Sequence, residues 1–169
     1  NLGLEQGARI LVPLCGKTLD IAWLLSKGFN VVGVELVQTA IDQLFLELGV
    51  EPEIEDLGEL LHYRSNNIDI FVGDIFKLDG ETLGKVDAIY DRAALVALPE
   101  FMREQYAKHL IDISQSAPQL IISMEYDQTL MDGPPFSVDS QAVDEYYSNS
   151  YNIELLNRVE MTGGFKGFD

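Results

Sequence analysis

Four apolar runs in the chain end on residues able to do chemistry. The first closes on Pro13-Leu14-Cys15-Gly16, and because Gly16 has no Cβ the backbone of that turn can approach a ligand closely. The second closes on Glu35, about 20 residues further on, the spacing at which a carboxylate takes two ribose hydroxyls with its two oxygens. The third closes on Gly73-Asp74-Ile75, where an acid is placed to accept the exocyclic amine of adenine while Ile75 packs on the ring. The fourth closes on Tyr90-Asp91-Arg92, a lone guanidinium on an edge otherwise lined by acids, suited to a cofactor carboxylate or to an anion developing on a substrate. Each has a plainer explanation taken singly. Gly16 makes a turn, Glu35 is a solvated strand end, Asp74 is a loop aspartate, and Arg92 is a surface ion pair with Asp91 or Glu35.

Concurrence favours a site. Acids at the tips of two strands beside a glycine turn make a nucleoside pocket, and the single Gly followed by Lys17 and Thr18 lacks the G-x-G-x-x-G that settles a pyrophosphate on a helix N-terminus. NAD is therefore disfavoured, and S-adenosylmethionine is the common cofactor that needs adenosine recognition without phosphate binders. Cys15 fits a small packing residue better than a nucleophile. His62 and His109 have neither metal-ligand spacing nor a nucleophile-elbow partner, and Trp23 is expected in the core.

The elements that must position these residues are legible from periodicity. Residues 8–14, 30–36, 68–74, 86–91 and 119–126 are continuous apolar runs of strand length, which implies strands covered on both faces. Helices are predicted from Thr18, as N-cap, to a stop at Gly28; over 38–48, with Ile41, Leu44, Phe45 and Leu48 on one stripe and Gly49 ending it; and from Pro99, carrying Phe101, Leu110 and Ile113 inward. LLHYRS and IDIFV across Asn66-Asn67 predict a hairpin with positive φ at the turn, after a long acidic connection from residue 49. A loop holding Gly133-Pro134-Pro135 precedes a helix over 139–149 and a strand over 152–160. The alternation predicts a doubly wound, mostly parallel α/β sheet with helices on both faces and the ligand at the carboxyl ends of the strands.

Composition narrows the partners. The 169 residues, 47% of them hydrophobic, suffice for one domain, expected to span residues 1–169. Eleven Lys and Arg against 28 Asp and Glu give a formal charge of −17, which argues against nucleic acid as a partner. No apolar stretch reaches the roughly 18 residues of a membrane span, and a single cysteine suits a reducing compartment. A cytoplasmic monomer acting on a small molecule is the expectation.

VPLCGKTLDIAWLLSKGFNVVGVEL, GDIF, YDRAALVAL and YDQTLMDGPPFSV, in this order and over most of the chain, resemble the bacterial type of thiopurine S-methyltransferase. The resemblance implies a Rossmann-like class I methyltransferase that binds S-adenosyl-L-methionine at Leu14, Glu35, Asp74, Ile75 and Arg92. It implies an aromatic or heterocyclic thiol as methyl acceptor, under a lid that includes Pro134, Pro135 and Phe136. The family is also linked to methylation of selenium and tellurium compounds. Two of its features are expected to be lacking here: an N-terminal segment whose Trp packs on the cofactor, and a further antiparallel strand after Glu160.

Methyl transfer from a sulfonium to a thiolate is an in-line displacement, so the protein chiefly holds three atoms on one axis, and no protein nucleophile is needed. Arg92 is the candidate catalytic residue, as a cation that enriches the thiolate. Two other functions fit less well. A halide methyltransferase of the same fold carries a glycine-richer first turn, and a non-catalytic adenosine-ligand binder needs neither Arg92 nor the GPPF loop.

Overall fold

The computed structural model describes residues 2–160. Its sheet has seven strands: β1 (Arg9–Pro13), β2 (Asn30–Glu35), β3 (Glu53–Asp56), β4 (Leu61–Ser65), β5 (Ile68–Val72), β6 (Ala88–Arg92) and β7 (Gln119–Ile122). They lie in the order β3-β4-β5-β2-β1-β6-β7. The five strands β5-β2-β1-β6-β7 are parallel, and β3 and β4 add antiparallel to one side. Strand order reverses between β1 and β6, which opens a crevice at their carboxyl ends.

Alternate strand residues point to opposite faces, and each face has its own core. On one, Ile10, Val12, Val31 and Ile70 meet Ile21 and Leu24 of α1 (Leu19–Ser26) and Ile41, Leu44 and Phe45 of α2 (Gln38–Leu48). On the other, Leu11, Val32, Phe71 and Ile89 meet Leu83 of α3 (Gly80–Leu83), Tyr106 and Leu110 of α4 (Glu100–Ile113) and Tyr147 of α5 (Ser140–Tyr147). The doubly wound arrangement is the expected one.

Several details correct the sequence-based expectations. Phe101 is 83% exposed: at about 100° per residue it lies half a turn out of phase with Leu110. The buried stripe of α4 is Arg103, Tyr106, Ala107, Leu110 and Ile113. Pro99 is the N-cap of that helix rather than its first residue. Trp23 is 56% exposed, on the outer side of the Ile21–Leu24 stripe, with the Lys27 ammonium 5.6 Å from its ring centroid. The acidic connection contains a strand, β3, paired with β4 through Glu53 to Asp56.

The fifth predicted strand stops at Ile122, because the groups that would extend it are engaged elsewhere. Met124 O accepts from Val138 N–H, and Tyr126 N–H donates to Ser137 Oγ. Residues 152–160 form no strand: they have no ladder partner among the described residues, and Leu155, Leu156 and Val159 are exposed. The Asn66-Asn67 hairpin is present, with Asn67 at φ 61°. No helix among the described residues is long and apolar enough to cross a membrane.

Candidate active site

Gly16, Glu35, Asp74 and Arg92 all stand at the carboxyl edge of the parallel strands. Glu35 ties the first two loops together: Oε2 accepts from the Gly16 N–H at 2.8 Å and Oε1 from the Val37 N–H at 2.9 Å. Each carboxylate oxygen has a second lone pair, so this tie leaves acceptor capacity for a ligand hydroxyl. Gly16 has φ 50°, and a Cβ there would meet only Glu35 Oε2, at 4.0 Å. The β2 ladder continues past its end, with Gly73 N–H donating to Glu35 O at 2.8 Å, which brings the β5 loop alongside.

Asp74 caps a short 3-10 turn, Ile75–Lys77, through Oδ1 and the Phe76 N–H at 3.0 Å. Its carboxylate is at the surface, whereas the Ile75 side chain belongs to the core cluster and its carbonyl accepts from His109 Nε2 at 2.8 Å. Ile75 thus reaches the edge mainly by its backbone. Leu14, at φ 44°, and Ala93, at φ 65°, follow β1 and β6, the two strands flanking the crevice. Left-handed backbone at non-glycine residues is costly and concentrates at ligand sites.

Arg92 crosses the crevice. Its Nη1 lies 3.1 Å from Asp20 Oδ2 and 3.4 Å from Thr18 Oγ1, both at the start of α1, and Tyr90 O–H donates to the same Asp20 oxygen at 3.2 Å. Its ion-pair partner is therefore neither Asp91 nor Glu35. Asp91 faces the opposite core, 0% exposed, accepting from the Leu95 N–H at 3.1 Å and the Tyr106 hydroxyl at 2.8 Å.

The proline loop lies over the turn that follows Arg92. Phe136 N–H donates to Val96 O at 2.6 Å, Tyr126 O–H to Pro135 O at 2.6 Å, and Ser137 N–H to Gln128 Oε1 at 2.8 Å. The Phe136 ring lies 5.6 Å from the Arg103 guanidinium carbon. An open concavity of about 530 Å³ between α2 and β3, lined by Phe45, Val50, Ile54 and Tyr63, shares no residue with this edge. The chemistry-bearing groups converge at the crevice, which makes the crevice the candidate site.

The family model for thiopurine S-methyltransferase matches residues 1–165. The chain belongs to the thiopurine S-methyltransferase family. It is 50% identical over 167 residues to the thiopurine S-methyltransferase of Xanthobacter autotrophicus, covering 99% of this chain and 78% of that one. To the enzyme of the same name from Teredinibacter turnerae it is 51% identical over 161 residues, covering 95% and 75%. In structure it is similar to a TehB-like S-adenosylmethionine-dependent methyltransferase from Corynebacterium glutamicum, with TM-score 0.59, 17% identity and coverage of 87% and 66%. This family member is an S-adenosyl-L-methionine-dependent methyltransferase with a Rossmann-like class I fold.

The electrostatics of this methyltransferase separate structural groups from accessible ones. Cys15 is 6% exposed, and burial, then the nearby Glu35 charge, push its thiol far up, so it is a packing group rather than a thiolate. Its sulfur occupies space left by Gly33, where a Cβ would come within 2.9 Å of it. Burial also raises Asp91, against the lowering effect of its hydrogen bonds with Tyr106 and Leu95, and raises Tyr106. Tyr90 is raised by burial and then by the Asp20 charge.

Sequence reasoning did not assign Asp20, Tyr90, Asp91 or Arg103 to the site's framework. Arg103 had a readable signal: it is the one charged residue on the stripe that runs through Tyr106, Leu110 and Ile113. The Asp20–Tyr90 pairing joins residues 70 positions apart and had none.

Proposed function

We propose that the protein transfers the methyl group of S-adenosyl-L-methionine to the sulfur of a small aromatic or heterocyclic thiol. The observation that carries the acceptor class is the placement of Arg92, a half-exposed guanidinium at the crevice mouth, four residues before the Val96 carbonyl that tethers Phe136. A thiolate is drawn by the cation and meets an aromatic lid beside it. Softer selenium and tellurium nucleophiles satisfy the same two requirements. A cytoplasmic monomer belongs to this reading, the buried lone thiol suiting a reducing compartment.

The residues present fit the cofactor by the chemistry of their donor set. Glu35 retains acceptor capacity for the ribose hydroxyls, Asp74 offers a surface carboxylate to the adenine amine, and Leu14, Gly16 and the Ile75 backbone border the space between. Arg92 supplies the cation for the cofactor's carboxylate, in exchange with Asp20. When bound, the cofactor supplies an electrophilic methyl group on a sulfonium. The chain's own part is to hold the acceptor on that axis, to exclude water with Pro134, Pro135 and Phe136, and to favour the thiolate through Arg92.

No side chain is required as general base. His62 is 3.0 Å from Asp69 Oδ1 and stacked on Phe71, and His109 is occupied at Ile75 O. Incubation with labelled S-adenosyl-L-methionine and a panel of thiols of graded pKa tests this reading. Label should reach aromatic thiols fastest, with a rate rising through each acceptor's own pKa. Labelling of halide alone, or of no acceptor in protein that still binds S-adenosylhomocysteine, would refute it.

A further inference from the structure

Arg103 sits where α4 requires an apolar residue, 6% exposed on the stripe shared with Tyr106 and Leu110. Among the described residues it makes no ion pair. A guanidinium withdrawn from water is expensive unless its donors are matched, and a Leu or Met would complete the stripe without that cost. Two of its nitrogens donate to segments far apart in the chain. Nε donates to Leu98 O at 2.9 Å, at the end of the 3-10 turn after Arg92, and Nη1 to Ser137 O at 3.4 Å, in the proline loop. The carbon of the same guanidinium lies over the Phe136 ring, 5.6 Å from its centroid. Phe136 is thus held by its own N–H on Val96, by the carbonyl of the next residue on Arg103, and by its ring against the guanidinium.

The other end of the 3-10 turn is held by a second buried charge, Asp91, through the Leu95 N–H. Asp91 and Arg103 therefore bracket the Leu95–Ala97 turn that carries both the Phe136 tether and, just upstream, Arg92. We propose that Arg103 is a specificity-determining positioning residue: it fixes the angle of Phe136 over the acceptor and so sets the preference for aromatic thiols. It touches neither cofactor nor acceptor. The inference rests on the reading of residues 133–138 as the acceptor lid.

Arg103→Gln, Arg103→Lys, Phe136→Ala and the double variant Arg103→Gln/Phe136→Ala are compared with wild type at saturating cofactor, using one aromatic and one small aliphatic thiol. Calorimetric affinity for S-adenosylhomocysteine and thermal melting are followed in parallel. Arg103→Gln should raise KM for the aromatic thiol about tenfold and for the aliphatic thiol less than about twofold, with cofactor-product affinity within about twofold of wild type. Arg103→Lys keeps the cation but loses the fork, and should fall between. The double variant should match Phe136→Ala, because both substitutions remove one interaction.

Equal KM increases for the two thiols, or a lowered melting temperature with an unchanged KM ratio, would show a structural role only and overturn the proposal. If Phe136→Ala leaves the aromatic-to-aliphatic KM ratio unchanged, it is the lid reading that fails, and the proposal with it. Should Arg103→Gln not fold, Arg103→Lys is judged by the same ratio.

Discussion

On the β1–β2 side of the crevice, the chemistry-bearing residues cap buried parallel strands and are held by backbone hydrogen bonds, Gly16 and Val37 to one carboxylate and Gly73 to the Glu35 carbonyl. On the β6 side they hang from side chains: Asp20 and Thr18 on Arg92, Asp91 on the following turn, Arg103 on that turn and the proline loop. The first side has few degrees of freedom and suits one invariant ligand, the cofactor. The second holds two nearly dry charges whose burial is costly and whose contacts reach across the fold, an arrangement suited to tuning an acceptor site.

The largest effect expected from breaking this contrast is at Glu35. Glu35→Ala removes the tie between the two loops together with the proposed ribose acceptor; charged hydrogen bonds contribute about 1.5–3 kcal/mol each, so affinity for S-adenosylhomocysteine should fall at least about tenfold. Calorimetry showing unchanged affinity would remove Glu35 from the site and leave the rigid side purely structural. Next is Arg92→Lys, which keeps charge but loses the fork. Cofactor affinity should weaken several-fold, while saturating cofactor restores much of the rate. The exposed pair with Asp20 contributes no more than about 1 kcal/mol, so melting should barely change. A variant kinetically identical to wild type would reduce Arg92 to a surface ion pair.

The buried charge on the β6 side makes a prediction with a sign. Burial raises the Asp91 carboxyl above its ordinary value of 3.8, so its contribution to stability is complete below that pH and is lost as pH rises through the folded value. Asp91→Asn cannot ionise and should gain stability relative to wild type as pH rises from about 3 towards neutrality. Denaturant titrations at several pH values measure this; a constant difference would mean that Asp91 is not destabilised by burial. The smallest effect belongs to Cys15. Cys15→Ala should retain turnover and lose about 1 kcal/mol of stability to a small void. Loss of turnover in the folded variant would make the thiol functional after all.

The same contrast governs what was legible. Gly16, Glu35, Asp74 and Arg92 each end an apolar run, and in a parallel sheet every such end falls on the same edge, so their meeting follows from local periodicity and the right-handed crossover alone. Phe101, Trp23 and residues 152–160 depart from the sequence-based expectation because hydrophobicity does not say which face of a helix is covered, nor whether a strand finds a partner. Arg103 stands out in the sequence as a charge on an apolar stripe, but neither it nor Asp91 shows by itself what it contacts. Their roles come from contacts with Ser137, 34 positions away, and with Tyr106, 15 positions away.

What the sequence by itself determined is therefore the five parallel strands of the central sheet and the residues at their tips, since strand periodicity and turn chemistry act over a few neighbours. Only the tertiary structure decided that Arg92 pairs with Asp20, that the proline loop is tethered at Val96, and that a guanidinium in α4 reaches the Ser137 carbonyl of that loop. A long charged side chain takes whichever partners packing brings within about 3 Å, and distance along the chain does not encode them.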